Sequence, residues 1–319
     1  MTLVSEVASI APGKTFTVAI VMEPERGWHT YWKNPGDSGM ATDLEWSLPQ
    51  GFSPQPAQYP APEVLAFGSL VNYGYSGDTA LLVDIVAPRS VDGPIVTLAV
   101  DAHWLVCDDE ICIPEDTSLT LVLPAGDGAI APENQLIFSK ARAALPTPFP
   151  QGEGWSASFW KEGGKSTFAF GLPAGGTRVR KAHFFPLTKG VVDYAAPQVM
   201  GLKQKSAMVA EKPDTAADTL YLQTSAGRAQ FLDRISGVLA LTNNEGMVEN
   251  FRVELNAGRG AAPAFRPIDV GANSQSSLAP GVNPFVAFAF AFLAGLLLNV
   301  MPCVFPSSSM PSFEIKKCI

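Results

Sequence analysis

The chain has 319 residues, a net charge of −8 and a pI near 5.0; it is long enough for two ordinary domains plus an appendage, and with no basic cluster it offers nucleic acid no footprint. Charged residues make up only 16%, against 28 glycines and 27 prolines, a composition that suits a turn-rich, all-β protein. Four cysteines are too few for a disulfide scaffold.

The opening residues, Met1-Thr-Leu-Val-Ser-Glu-Val, lack the basic and apolar regions of a signal peptide. The expectation is that a signal was removed or lies upstream; a cytosolic chain is the alternative, weakened by the apolar C-terminal segment. In chain order, Phe16, Val18, Ile20 and Met22 alternate through 14–22, the period of a half-buried strand. A second apolar run of strand length covers 79–88. In 95–107, Val96, Leu98, Val100, Ala102, Trp104 and Val106 share one face, while Asp101, His103 and Cys107 share the other. Leu119, Leu121 and Leu123 mark a return strand. From Pro132 to Leu145 the pattern predicts a short helix whose apolar side is Leu136, Ile137, Ala141, Ala144 and Leu145. Pro146, Pro148 and Pro150 with Gly152 and Gly154 read as a stiff linker and a domain boundary.

Strand-like runs resume at 166–172, 183–187, 219–224, 235–242 and 248–255, with a hairpin turn at 243–246. This region contains one histidine, His183, no cysteine and no catalytic constellation; it is expected to be structural or to position a partner. Residues 271–283 read as a flexible linker. The run from Pro284 to Phe305 is nearly all apolar, long enough to span a bilayer. A buried core helix is the bland alternative. Asn299 and Pro302 interrupt the run near Cys303, and Lys316 and Lys317 place the C-terminus on the cytoplasmic side.

The densest chemistry lies in Trp104-Leu-Val-Cys107-Asp-Asp-Glu-Ile-Cys112-Ile-Pro. A hairpin with a four-residue loop can bring Cys107 and Cys112 within disulfide reach. Three readings stay open: a redox pair, a static staple, and a copper or zinc site with His103. So short a loop gives a staple little entropy to remove, and the spacing does not suit zinc. Asp108, Asp109 and Glu110 beside the sulfurs disfavour thiolate, so the pair is expected to be a reducing couple.

Several segments resemble the DsbD-type thiol:disulfide interchange proteins, and within them the ScsB branch linked to copper tolerance. They are the aromatic stretch from Trp28 to Asp37, Phe67-Gly68 with Tyr73-Gly-Tyr75-Ser-Gly77, the Cys107–Cys112 hairpin, and Asn299-Val-Met-Pro-Cys303-Val-Phe-Pro306. The resemblance implies two immunoglobulin-like β-sandwich domains followed by one transmembrane helix. It implies that Cys107 and Cys112 are the catalytic pair and Cys303 one of a membrane pair. By the same resemblance Phe67 shields the disulfide, with Tyr73 or Tyr75 assisting. The expected organisation is a redox sandwich over 1–147, a second sandwich over 148–270, the linker 271–283, a membrane segment over 284–306 and a tail over 307–319. That tail does not match the family's continuing helix, so the chain reads as truncated, with Cys303 lacking its partner and Cys318 matching nothing. The implied partners are thioredoxin-like periplasmic proteins and the missing membrane domain, at the bacterial inner membrane with residues 1–283 in the periplasm. No metal and no organic cofactor is called for. The rival functions are a copper-binding or chaperone-like module and an adhesion-like β protein with an incidental disulfide.

Overall fold

The structure, a computed structural model, describes residues 1–173, 179–203, 218–230 and 232–268. The expected linker, membrane segment and tail, with Cys303 and Cys318, lie outside these residues. Among the described residues no helix is long and apolar enough to cross a membrane. Strands dominate. In chain order the first half has β1 (Thr2–Ser5), β2 (Thr15–Met22), β3 (Thr30–Gly36), β4 (Asp43–Ser47), β5 (Ser53–Pro54), β6 (Glu63–Phe67), β7 (Leu70–Tyr75), β8 (Thr79–Val86), β9 (Ile95–Cys107) and β10 (Cys112–Pro124). A 3-10 turn at Pro132–Asn134 leads into α1 (Gln135–Ala144). The second half adds β11 (Thr147–Pro148), β12 (Ser156–Glu162), β13 (Lys165–Leu172), β14 (Val179–Pro186), β15 (Val199–Lys203), β16 (Asp218–Ser225), β17 (Arg234–Asn243) and β18 (Val248–Ala257).

Two sheets, β1-β2-β8-β5 and β10-β9-β4, face each other in the first half. Their shared core holds Val18, Ile20, Leu81, Val83, Ile85, Leu98 and Val100, each contributing about 1.5–3 kcal/mol through burial. The alternation read in β9 is observed: Val96, Leu98, Val100, Ala102, Trp104 and Val106 are all buried. Strand β2 is covered on both faces rather than one. The reason is α1, whose Phe138 and Ala141 pack on Ala19 and Leu82. The helix is therefore rotated from its expected setting. Leu136 is exposed and Phe138 is buried, because the stripe through residues 134, 138, 141 and 145 faces the sheet while Leu136 shares a side with Lys140.

The proline-rich stretch expected to be a linker is instead the first strand of the second half. Thr147 and Pro148 pair in parallel with Phe251 and Arg252, and Phe149 enters the core beside Trp155 and Phe170. Proline is tolerated there because β11 is a short strand that needs few ladder bonds. The sheet β14-β17-β18-β12-β13-β16-β15 curls on itself: Phe168 of β13 meets Phe184 of β14, ring centroids 4.7 Å apart, although the two strands are not neighbours. Asn243 closes the expected hairpin by accepting the amides of Glu245 and Met247 at 2.9 Å each.

A small sheet, β3-β7-β6, connects the halves. Trp32 and Tyr73 pack edge to face on Phe185, with centroids 6.4 and 5.0 Å away. Asn34 donates to the Pro186 carbonyl at 2.6 Å and the Tyr194 hydroxyl at 3.1 Å. Gly74 of β7 lets the Thr30 carbonyl come so close that a Cβ would collide with it, which fixes β3 against β7.

Candidate redox site

Strands β9 and β10 pair in continuous register from Ile95↔Pro124 to Cys107↔Cys112. The 107–112 pair is non-hydrogen-bonded. The Cys107 amide and carbonyl turn away from β10 to exchange bonds with His29, at 3.1 and 2.8 Å. Such pairs bring opposite Cα atoms closest, and here they are 4.1 Å apart and joined by the Cys107–Cys112 disulfide. The staple-or-redox question thus turns on what surrounds the sulfurs.

The loop is held by Asp108, whose carboxylate accepts the amides of Glu110 and Ile111 at 2.8 Å each. These bonds hold the Asp108 carboxyl below its usual range. Asp108 therefore serves the turn first, while Asp109 and Glu110 are exposed. The two sulfurs differ sharply: Cys107 is 1% exposed and Cys112 is open to solvent.

Cys107 was expected on the outer face and is nevertheless buried, because β3 and the residues before it close over it. The Tyr31 hydroxyl donates to Cys107 Sγ at 2.8 Å and lies 3.8 Å from Cys112 Sγ. His29 Nε2 sits 3.2 Å from the same hydroxyl. If the Tyr31 proton goes to sulfur, the histidine must donate in turn. Burial pushes the Tyr31 phenol up, so it remains a donor at neutral pH. Burial also lowers the His29 imidazole, an effect that Asp109 and Asp108 partly oppose. Gly39 lies under the Tyr31 ring, where any Cβ would strike it.

Neither His29 nor Tyr31 was singled out as a site residue, although both stand in the aromatic stretch from Trp28 to Asp37. Their signal is the alternation of β3, which aims Tyr31 at the disulfide and Trp32 at the second half. Tyr73 and Tyr75 are buried elsewhere. Tyr73 packs on Phe185 and Tyr194, and the Tyr75 hydroxyl donates to the Pro60 carbonyl at 2.8 Å. Phe67 is half-buried at the tip of the β6–β7 hairpin, next to Gly68 at φ +57°. His103 is exposed, opposite Asp116 and Asp43. Four residues of extended strand, about 13 Å, separate it from Cys107, so the two do not share a ligand. Among the described residues no three His, Cys, Asp or Glu side chains cluster to hold a metal ion.

Residues 2–124 match the family model for the N-terminal region of the thiol:disulfide interchange protein DsbD. Among solved structures, the N-terminal periplasmic domain of ScsB from Proteus mirabilis is similar, with a TM-score of 0.53 and 16% identity over 80% of this chain and 92% of that one. BcpA, the major pilin subunit of Bacillus cereus, is matched at a TM-score of 0.25 and 8% identity over 81% of this chain and 66% of its own. Collagen adhesin from S. aureus is matched at 0.18 and 6% over 80% and 92%; neither of these two bears on function. No curated protein matches the sequence. The family match and the sulfur pair put this chain in the class of thiol:disulfide interchange modules. Within that class, residues 2–124 are similar to the N-terminal domain of DsbD, and the described residues share the overall fold of the ScsB periplasmic domain.

Proposed function

We propose that the chain is a periplasmic protein-disulfide reductase module that passes electrons to thioredoxin-like partners through Cys107 and Cys112. The observation that carries this reading is the asymmetry of the pair: one sulfur is exposed, and the other is buried against a hydroxyl donor. A donor thiolate can reach Cys112 Sγ. A new S–S bond forms there, the Cys107–Cys112 bond breaks, and Cys107 Sγ leaves with the electron pair. Tyr31 is placed to donate its hydroxyl hydrogen bond to that leaving thiolate, and charge-assisted bonds of this kind are the stronger ones. A second attack, by the donor's own second cysteine thiolate on the donor sulfur of the mixed disulfide, expels Cys112 Sγ as thiolate, releases the donor as a disulfide and leaves the pair reduced for delivery onward.

Residues 1–147 and 148–270 are proposed as the redox domain and a positioning domain. Residues 284–306 are proposed as an inner-membrane segment with Cys303 within it, which resistance of the full chain to alkaline extraction from membranes would check. Phe67 is the proposed shield of the disulfide.

The deciding experiment is a trap. The Cys107→Ser chain, mixed with a thioredoxin-like protein whose cysteine is activated by an aromatic thiol, should form a stable mixed disulfide at Cys112. The Cys112→Ser chain should form it at least about tenfold more slowly, because its remaining thiol is buried. Equal rates, or no adduct with either, would overturn the reading.

A further inference from the structure

Beneath the hairpin, on the face opposite the Tyr31 contact, lies a cavity of about 360 Å³, at the small end of ligand pockets. Its walls are Met22, Trp28, Trp104, Val106 and Ile113. Ile113 follows the exposed Cys112 directly and is 39% exposed. Three carboxylates, Glu23, Glu25 and Glu115, stand at the cavity, each on an exposed residue. Thr30 also lines it, is 2% exposed, and carries a hydroxyl that finds no hydrogen-bond partner among the described residues. A buried hydroxyl left unpaired is destabilising, and this one, in the cavity wall, has no partner among the described residues.

The strand that passes this cavity is also incomplete. β10 is the edge of its sheet. Since Cys107↔Cys112 is a non-hydrogen-bonded pair, the backbone groups of Cys112, Asp116 and Ser118 point outward from β9. Such an edge offers a partner strand a hydrogen-bonding template.

We propose that this cavity receives one arginine or lysine side chain from an extended segment of the redox partner, lying along β10 beside the partner's cysteine. The chemistry matches part by part. A long aliphatic stem suits the walls of Val106 and Ile113. A cationic head suits the indoles of Trp28 and Trp104 and the three carboxylates, which also steer a positive segment toward Cys112. This inference rests on the interchange reading above and adds to it how the partner is chosen.

The test uses the full chain and three blocked hexapeptides. Each has one cysteine and, directly next to it so that the two side chains point to opposite faces of the extended segment, arginine, glutamate or 2,3-diaminopropionate, the last a cation without the stem. The rate at which each opens the Cys107–Cys112 disulfide is compared with the rate for neutral 2-mercaptoethanol. The arginine peptide should react about tenfold faster than the glutamate peptide, and clearly faster than the short cation. The combined Glu23→Gln, Glu25→Gln and Glu115→Gln chain should lose most of that preference while its 2-mercaptoethanol rate stays unchanged. Thr30→Val should weaken it too, without loss of stability, since it removes an unpaired hydroxyl. If the short cation does as well as arginine, the acidic surface merely attracts charge and the pocket plays no part. Should 2-mercaptoethanol also fail to open the disulfide, the interchange reading falls by itself. The pocket is then read by calorimetry with serine in place of the peptide cysteine, where equal binding of the arginine and glutamate forms overturns it.

Discussion

At the scale of single residues, the proposed redox role of the sulfur pair rests on Tyr31, whose hydroxyl meets Cys107 Sγ. A cross-strand bond closing so short a loop contributes little to stability. A hydroxyl aimed at one of its sulfurs adds nothing to a static bond but lowers the energy of a thiolate leaving it. Tyr31→Phe should therefore slow opening of the disulfide by dithiothreitol by about tenfold, the worth of a hydrogen bond to a charged group. An unchanged rate would show the hydroxyl to be a packing feature. Phe67→Ala should speed reaction of the reduced pair with small oxidants several-fold with little change in thermal stability. If the rate stays flat, the shield lies elsewhere.

At the scale of elements, β3 carries the site. Its alternation sends Tyr31 to the disulfide and Trp32 and Asn34 into the second half, so one strand ties the redox hairpin to the rest of the molecule. Two glycines make this possible: Gly74, which admits the Thr30 carbonyl, and Gly39, which sits under the Tyr31 ring at φ +91°. Gly39→Ala adds a methyl where the ring lies and forces an uncommon backbone angle on alanine. It should cost about 1–3 kcal/mol in urea unfolding and slow thiol exchange roughly as Tyr31→Phe does, because the ring loses its place. Full exchange in a destabilised Gly39→Ala chain would separate the two effects and count against Tyr31.

At the scale of the whole molecule, the two halves meet through aromatic rings and one half-buried histidine. His183 packs 4.4 Å from Phe185 by ring centroid and faces Tyr73 at 6.1 Å, with Gln198 Nε2 3.3 Å from its Nε2. Burial, and then the nearby Lys181, bring the His183 imidazole down to about 4. The sign of the consequence is definite. Between pH 6.5 and 4 the unfolded chain binds a proton at this position that the folded chain does not, so stability falls as pH drops through that window. The loss should reach at most about 3 kcal/mol by pH 4. His183→Gln should flatten that part of the stability–pH curve, measured by denaturant unfolding at pH 7, 5.5 and 4.5. A variant with the same slope as the parent would mean that other groups carry it.

Local pattern alone determined the strands of the first core, the hairpin that carries Cys107 and Cys112, and the turn at Asn243, because period-2 alternation and turn chemistry are properties of neighbouring residues. The resemblance drawn from short motifs was likewise sound for residues 2–124. What only the tertiary structure decided was which side chains meet across distance. The face of α1 that packs depends on where β2 and β8 lie, and Leu136 and Phe138 are equally apolar in the sequence. Pro148 became a strand residue because β18 stood beside it. Cys107 was expected outward and is buried because β3, some 76 residues earlier at Tyr31, closes over it. The same approach made one sulfur protected and the other open, which no spacing between the two cysteines could encode, since reactivity here depends on solvent and on a hydroxyl supplied by another sheet.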